Sequence, residues 1–247
     1  PPVSPLPVPS RALAIGSHPD DVEFGAGATL ARWAEAGCEV HLLVLTDGSK
    51  GSWDEGDDLA ALVATREVEG RAAAARLGAT DVHFLGYVDG ELQSGMAERE
   101  AVCRVIRSTR PDVLLGHDPW KRYRLHPDHR HAGWLTVDGL VAARDPHFFP
   151  EAGPHHRPEA LLLFEADEPN HWEPAETHLD TKVAALLEHR SQWRSTMGIE
   201  AGSPDEAAQH AAFVAEIPRR ATDSSGHGPS GLFEAFPDRK RTRLNSS

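Results

Sequence analysis

Short apolar runs alternate with helical hydrophobic patterns along most of this chain. The runs predict β-strands at Arg11–Gly16, Glu39–Thr46, Asp81–Gly86, Asp112–Gly116 and Glu159–Ala166. Apolar residues at helical spacing predict α-helices at Val22–Ala36, Leu59–Leu77, Met96–Arg110, Asp128–Ala143 and Thr181–Arg194. This alternation is typical of a mostly parallel sheet with helices on both faces. The pattern therefore predicts an α/β fold of the Rossmann-like, doubly wound type.

The same pattern sets the expected domain boundaries. A chain of 247 residues can bury the core of one α/β domain, and we assign this domain to residues 11–217. Residues 1–10 form a Pro-rich segment ahead of the first strand. From residue 218 onward the apolar pattern is lost, so residues 218–247 are expected to be a disordered tail.

Composition narrows the classes of partner. The formal net charge of −13 argues against nucleic acid or an anionic membrane surface as the main partner. No apolar run approaches the roughly 20 residues that a membrane-spanning helix needs. Cys38 and Cys103 lie in apolar, periodic contexts, which predicts reduced core residues and a cytoplasmic protein.

Two clusters combine imidazole and carboxylate side chains at short spacing. His18-Pro19-Asp20-Asp21 directly follows the first strand, and His126-Pro127-Asp128-His129 precedes the helix after the fourth strand. If the sheet order is 3-2-1-4-5, strands one and four are neighbours, and their carboxyl ends border the same crevice. The two clusters would then face each other.

This composition suits a catalytic metal ion. One His and one Asp from the first cluster, with one His from the second, would supply the three ligands that catalytic zinc takes. The spare Asp could act as general base, and the spare His could donate a proton or stabilise an oxyanion. Fe²⁺ or Co²⁺ would also fit such ligands. Each cluster taken alone could instead be a turn with a helix-capping aspartate.

At these residues the sequence resembles the LmbE-like/PIG-L family of zinc-dependent N-deacetylases. The resemblance is carried by AIGSHPDDVEFGAGATL at Ala14–Leu30 and by the His-Pro-Asp-His motif at His126–His129. TREVEGRAAAARLG at Thr65–Gly78 and DTKVAALLEHRSQW at Asp180–Trp193 are similar to two further helices of the family. The chain departs from many relatives after strand two, where it lacks their Gly-Glu pair.

The resemblance implies a role for each residue of the two motifs. It implies that the zinc ligands are His18, Asp21 and His129. It also implies that Asp20 is the general base, that His126 stabilises the tetrahedral intermediate or acts as general acid, and that Asp128 orients His126.

Other residues are candidates for contact with a small-molecule substrate, an N-acetyl amino sugar or a related N-acyl compound. Arg66 resembles an arginine that reaches the substrate pocket in relatives. Arg124 stands where some relatives have a tyrosine, with Tyr123 one step earlier, and could bind an anionic group. Trp53, Trp120 and Tyr123 offer aromatic faces that would suit stacking on a sugar ring, although partial burial as anchors of their loops is the favoured interpretation.

Two alternative functions remain open from the sequence. A metal-dependent phosphoesterase or esterase could use the same His/Asp site on a different bond. A non-catalytic ligand-binding protein could keep the fold without turnover, although the spare carboxylate of Asp20 argues against it. Relatives often assemble, so a homo-oligomer is possible.

Overall fold

The computed structural model describes residues 4–223, 231–236 and 238–240. The strands within this part of the chain are β1 (Arg11–Gly16), β2 (Glu39–Thr46), β3 (Asp81–Tyr87), β4 (Val113–His117), β5 (Ala160–Phe164), β6 (His171–Pro174), β7 (Phe233–Phe236) and β8 (Asp238–Lys240). The helices are α1 (Asp21–Glu35), α2 (Leu59–Arg76), α3 (Met96–Thr109), α4 (Pro127–Arg144), α5 (Leu179–Leu186) and α6 (Glu206–Asp223).

The central sheet has the strand order β3-β2-β1-β4-β5-β8. Strands β1 to β5 are parallel, and β8 adds antiparallel to β5 at the edge. A separate antiparallel pair joins β6 and β7. The predicted fold class is therefore confirmed, and the five parallel strands have the order that was assumed from the sequence. The winding reverses between β1 and β4, where the carboxyl ends of neighbouring strands leave a crevice.

Alternate residues of β1 enter two different cores, because side chains along a strand point to opposite faces of the sheet. Ala12 and Ala14 pack in the core that includes α1 and part of α2. Leu13 and Ile15 pack in the core beneath α3 and α4. All four side chains are fully buried. The helices thus cover both faces of the sheet, as predicted, and Cys38 and Cys103 are buried and unpaired.

The segment from residue 218 onward differs from the predicted disordered tail. Helix α6 continues through Pro218 to Asp223, and β7 and β8 pair with β6 and β5. Phe236 is fully buried in the core beside α1. The prediction of disorder is therefore wrong for the described part of this segment. Contacts with residues distant in sequence order it, although it has no local apolar pattern. Residues 224–230, 237 and 241–247 of the predicted tail lie outside the described residues, as do residues 1–3.

The last predicted helix is also shorter than expected. Helix α5 ends at Leu186, and a 3₁₀ turn at Arg190–Gln192 and a π turn at Trp193–Met197 follow it. These irregular turns bury His189 and Gln192. Helix α6 was not among the predicted helices, although its buried residues Phe213, Ile217 and Ala221 recur at the spacing of a helix face.

Within the described residues, none of the helices has both the length and the apolar character needed to cross a bilayer.

A buried carboxylate of β7 is hydrogen-bonded to α1 and ion-paired with α5. The Glu234 carboxylate accepts hydrogen bonds from the backbone N–H groups of Ala28 and Thr29 at 3.0 and 2.7 Å. It also accepts one from Lys182 Nζ at 2.7 Å. Glu234 is 4% exposed and Lys182 7% exposed. A variant that removes the carboxylate would leave the ammonium group buried without its partner.

We expect Glu234→Ala to lower the free energy of unfolding by about 3–5 kcal/mol, because an unpaired charge buried in the interior is costly. Urea unfolding followed by circular dichroism measures the change. The matched control is Glu100→Ala, which removes the exposed partner of Arg104 and should cost less than about 1 kcal/mol. Equal effects of the two substitutions would show that β7 contributes little to the stability of the domain.

Candidate active site

The loop between β1 and α1 carries the first predicted cluster in a constrained backbone. Asp20 has a φ of 116°, a conformation that an L-residue keeps only when surrounding contacts hold it. Its carboxylate caps no N–H group of α1. The alternative interpretation of Asp20 as a capping residue is therefore wrong. Asp21 folds back instead, and its Oδ2 accepts a hydrogen bond of 2.7 Å from the backbone N–H of His18.

The side chains of His18, Asp21 and His129 converge from the two clusters. Nε2 of His129 lies 3.2 Å from Nδ1 of His18 and 3.3 Å from Oδ1 of Asp21. Nδ1 of His18 lies 3.4 Å from Oδ2 of Asp21. Nitrogen and oxygen ligands about 2.1 Å from a tetrahedral zinc ion would lie about 3.4 Å from one another. Each pair among the three residues thus has ligand atoms at this spacing, with Asp21 presenting Oδ1 to His129 and Oδ2 to His18, so the residues fit a metal ion.

Two residues that the sequence analysis missed extend this cluster. Nε2 of His117 lies 3.2 Å from Oδ2 of Asp21, and Oδ1 of Asp89 lies 3.0 Å from Nε2 of His18. Both belong to groups of side chains close enough to share a metal ion. His117 ends β4 and Asp89 follows β3, at the carboxyl edge of the sheet. Position at a strand end is the signal that could have identified them.

The carboxylate of Asp128 contacts a different histidine from the one predicted. Its Oδ2 lies 3.2 Å from Nε2 of His18 and accepts a hydrogen bond from Gly90 N–H at 2.6 Å. His126 receives only the backbone N–H of Asp128, which donates to its Nδ1 at 3.3 Å. The expectation that the Asp128 side chain orients His126 is thereby corrected. Asp128 and Asp89 hold His18 with Nδ1 directed towards Asp21 and His129.

These carboxylates also determine the charge of His18 in the metal-free protein. Burial alone would lower the pKa of His18, but Asp128, Asp21 and Asp89 outweigh it and raise the pKa well above its usual value. An imidazole must be neutral to bind a metal ion, so metal binding here would displace a proton.

Asp20 lies in a different electrostatic environment from its neighbour. Burial raises the pKa of the Asp20 carboxyl to about 6, although the nearby Arg66 guanidinium lowers it. Nη2 of Arg66 is 3.6 Å from Oδ2 of Asp20. Arg66 also donates to the backbone carbonyls of Gly48 and Pro19 at 2.9 and 2.8 Å. Arg66 therefore ties together the loops that surround Asp20, in addition to lining the cavity next to it.

Arg124 is held by a glutamate that the sequence analysis did not identify. Its Nη1 donates to Glu165 Oε2 at 2.5 Å and lies 3.1 Å from Nδ1 of His129. The same carboxylate lies 3.4 Å from Nδ1 of His117. Burial raises the pKa of Glu165, but His117 and Arg124 prevail and lower it to about 2. The guanidinium of Arg124, which was expected to bind an anionic group of the substrate, is thus already paired with Glu165.

A cavity of about 450 Å³ opens over the cluster, a volume within the usual range for small-molecule sites. Its lining includes His18, Asp20, Asp21, Lys50, Arg66, Asp89, His126, His129, Glu165 and Gln192. Trp120, Tyr123 and Arg124 are not part of this lining. Tyr123 is 86% exposed, and Trp120 packs edge-to-face on Trp134 at 5.3 Å.

Comparison with known proteins shows the family to which the chain belongs. The family model described as PIG-L: GlcNAc-PI de-N-acetylase matches residues 13–139, a range that includes both clusters. The chain belongs to the PIG-L family. A diacetylchitobiose deacetylase of Thermococcus kodakarensis is 34% identical over 187 residues, covering 74% of this chain and 70% of that protein. A 1D-myo-inositol 2-acetamido-2-deoxy-alpha-D-glucopyranoside deacetylase of Streptomyces avermitilis is 35% identical over 170 residues, covering 58% and 57%.

Solved structures extend the likeness over nearly the whole of this PIG-L chain. The N,N'-diacetylchitobiose deacetylase of Pyrococcus horikoshii, in complex with an inhibitor, has a TM-score of 0.82 at 26% identity and covers 97% of this chain and 87% of its own. GalB, a 4-carboxy-2-hydroxymuconate hydratase of Pseudomonas, has a TM-score of 0.69 at 21% identity and shows the fold alone. The predicted enzyme class, an amide hydrolase of the N-deacetylase type, is confirmed by the named deacetylases.

The electrostatic effect of Arg66 on Asp20 can be measured in the metal-free PIG-L protein. In Arg66→Met the pKa of the Asp20 carboxyl should rise above its value of about 6, because a cation within reach of a carboxylate lowers its pKa by roughly one unit or more. Carboxyl ¹³C chemical shifts followed over a pH titration report this pKa. Arg124→Met is the control, since Arg124 pairs with Glu165, and it should leave Asp20 unchanged. A lower or equal pKa in Arg66→Met would contradict this account of the site.

Proposed function

We propose that this protein is a zinc-dependent N-deacetylase that hydrolyses the acetamide of an N-acetyl amino sugar or a related small N-acyl compound. One observation carries the proposal: His18, Asp21 and His129 approach one another pairwise to 3.2–3.4 Å, beside the buried carboxylate of Asp20. The names of the curated relatives, which are deacetylases of acetylated sugar compounds, support the same reaction.

In this proposal His18, Asp21 and His129 hold the metal ion. Zinc at this position would lower the pKa of a water molecule and polarise the acetamide carbonyl. Asp128 and Asp89 fix the ring of His18 through Nε2, so that Nδ1 is the nitrogen available as a ligand.

Asp20 is the general base. Its carboxylate lines the cavity and makes no cap hydrogen bond, and burial has raised its pKa towards the working range of a base. It takes a proton from the attacking water as the oxygen–carbon bond forms. It then returns this proton to the departing nitrogen as the carbon–nitrogen bond breaks, which leaves acetic acid and a free amine. The acid then gives up its proton to the amine or to water.

His126 is better placed to stabilise the oxyanion than to act as general acid. Burial and the neighbouring His18 and His129 lower its pKa, which favours the neutral ring. Its Nδ1 accepts the backbone N–H of Asp128 at 3.3 Å, so the hydrogen of a neutral ring belongs on Nε2. An N–H donor of this kind can stabilise the negative charge that develops on the amide oxygen.

Metal content and amine release together test the assignment. In Asp20→Asn we expect the metal to be retained while amine release from N-acetylglucosamine compounds falls by about 10²-fold or more, since a general base is lost. His129→Ala should lose the metal itself. Elemental analysis and an amine assay on the same preparations supply both readouts. Iron or cobalt in place of zinc would change the assigned metal ion but not the proposed reaction.

The control for this experiment is His131→Ala, on the same helix as His129 but bonded to Ser94. It should keep both metal and activity. Turnover of aryl phosphates or esters without any N-deacetylation would favour the esterase alternative. A metal-loaded wild type that binds N-acetyl sugars without turnover would favour a binding protein.

The acid side of the pH profile tests the role of Asp20 independently. A general base must be ionised, so kcat/KM should be full above the pKa of Asp20 and fall as the pH drops through it. The midpoint of this acid limb should lie at a pH of about 6 or lower, because a bound metal dication would favour the ionised carboxylate of Asp20. Arg66→Met should move this limb to higher pH. A limb that stays in place in that variant would count against Asp20 as the base.

A further inference from the structure

The guanidinium of Arg124 contacts one of the proposed metal ligands, His129, through a ring nitrogen. Nη1 of Arg124 lies 3.1 Å from Nδ1 of His129 with the geometry of a hydrogen bond. A guanidinium group has only N–H donors and no acceptor, so Nδ1 must be the acceptor. The ring of His129 then carries its hydrogen on Nε2, which lies 3.3 Å from Oδ1 of Asp21.

The proposed metal site requires the opposite arrangement of this hydrogen. Nε2 is the nitrogen of His129 that faces His18 and Asp21, so it is the ligand atom and must be without its hydrogen. The hydrogen of the neutral ring then lies on Nδ1, where a metal-bound histidine usually donates to a carboxylate, a carbonyl oxygen or water. Nη1 of Arg124 would meet this N–H as a second donor. The observed position of Arg124 and a metal ion on His129 therefore exclude each other.

The guanidinium of Arg124 is also poorly satisfied at its observed position. Only 7% of the Arg124 side chain is exposed. Its Nε and Nη2 atoms are buried and have no hydrogen-bond partner among the residues that the structure describes. Buried polar atoms without partners cost free energy, and more so when the group is charged. The contacts with Glu165 and His129 both come from Nη1, so a departure from His129 gives up few interactions.

The main chain at Arg124 is held separately from this side chain. Nη1 of Arg130, on α4, donates to the carbonyl oxygens of Arg124 and Leu125 at 2.5 and 3.0 Å. These hydrogen bonds do not involve the guanidinium of Arg124. Rotation about the bonds of its own side chain can therefore take Arg124 away from His129 while the loop stays in place.

We propose that Arg124 controls the loading of the metal site. In the metal-free protein it holds His129 in the form that cannot bind metal through Nε2, and it leaves His129 when the site is loaded. This inference rests on the proposed function, because it takes Nε2 of His129 as a ligand atom. A cation beside a ligand also repels an incoming dication, and its departure removes this repulsion. One cation thus replaces another beside the carboxylate of Asp21.

The zinc affinity of a variant at position 124 tests this inference without any turnover. Competition with a chelator of known affinity measures the dissociation constant of zinc. Arg124→Met removes the donor and should tighten zinc binding by about tenfold or more, the usual size of effects from groups that contact a metal ligand. A gain in affinity cannot result from partial unfolding, which would weaken the site.

Lys121→Met is the matched control, because it removes a cation of the same loop. Lys121 donates to the backbone carbonyl of Glu165 at 2.7 Å rather than to a metal ligand. Its loss should change zinc affinity by less than about twofold. The inference is overturned if Arg124→Met binds zinc no more tightly than the wild type. It is also overturned if Lys121→Met tightens binding equally, since the effect would then be one of net charge.

The position of the hydrogen on His129 supplies a readout that does not depend on affinity. In protein labelled with ¹⁵N-histidine, correlations between ring nitrogens and ring carbon-bound hydrogens distinguish the two neutral forms, and His129→Ala assigns the signal. The metal-free wild type should carry the hydrogen on Nε2, and the zinc-loaded wild type should carry it on Nδ1. A hydrogen on Nδ1 in the metal-free wild type would contradict the proposed role of Arg124.

The same preparations distinguish this inference from the proposed function. If His129→Ala loses zinc and the wild type releases amine from N-acetyl sugars, but Arg124→Met leaves zinc affinity unchanged, the deacetylase stands and the role of Arg124 fails. If Arg124→Met tightens zinc binding while no N-acetyl compound is hydrolysed, the role of Arg124 stands and the deacetylase fails. If neither the wild type nor Arg124→Met binds zinc, both fail.

Discussion

The adjacency of β1 and β4 in the centre of the sheet is the constraint on which the candidate site depends. The two strands are hydrogen-bonded in parallel, with Ala12 opposite Val113 and Ala14 opposite Leu115. Both strands therefore end at the same edge. The loop after β1 and the first turn of α4 can then bring His18 and His129 within 3.2 Å, although 111 residues separate them. A slip or exchange of either strand would dismantle the ligand set without changing any of its residues.

Burial of His18, Asp20, Asp89, His117 and Asp128 is tolerated because each lies beside a group of opposite charge. Isolated charges are expensive in a protein interior, and pairing offsets that cost. Asp21 illustrates the paired state: burial would raise its pKa, yet His129 and His117 hold it well below the usual value. Asp20, one residue earlier, has its pKa raised by burial despite Arg66. The turn at Asp20 thus places adjacent aspartates in opposite environments, which is the division that a ligand and a base require.

The sequence predicted what local patterns encode and missed what only distant contacts create. The strands followed from apolar runs, and the convergence of His18 with His129 followed from two compact motifs once the strand order 3-2-1-4-5 was assumed. His117, Asp89 and Glu165 were missed because each is a single residue at a strand end, with no neighbouring motif to mark it. The β7 strand lies in the predicted disordered tail because its order depends on distant contacts. Glu234 contacts α1, about 200 residues earlier, and α5, about 50 residues earlier. No local window contains both partners of such a contact.

The loops around the candidate site are segments in which hydrophobic periodicity stops. The fold is shared with a hydratase, so the sheet and its helices do not determine which bond is cleaved or which molecule is held. Gly51 belongs to the loop after β2, and Gln192 to the irregular turns after α5. A β-carbon at Gly51 would collide with the guanidinium of Arg66 and lie 2.8 Å from Oε1 of Gln192. Glycine at this position therefore lets the guanidinium of Arg66 stay beside Asp20 while the same backbone lines the cavity over the cluster.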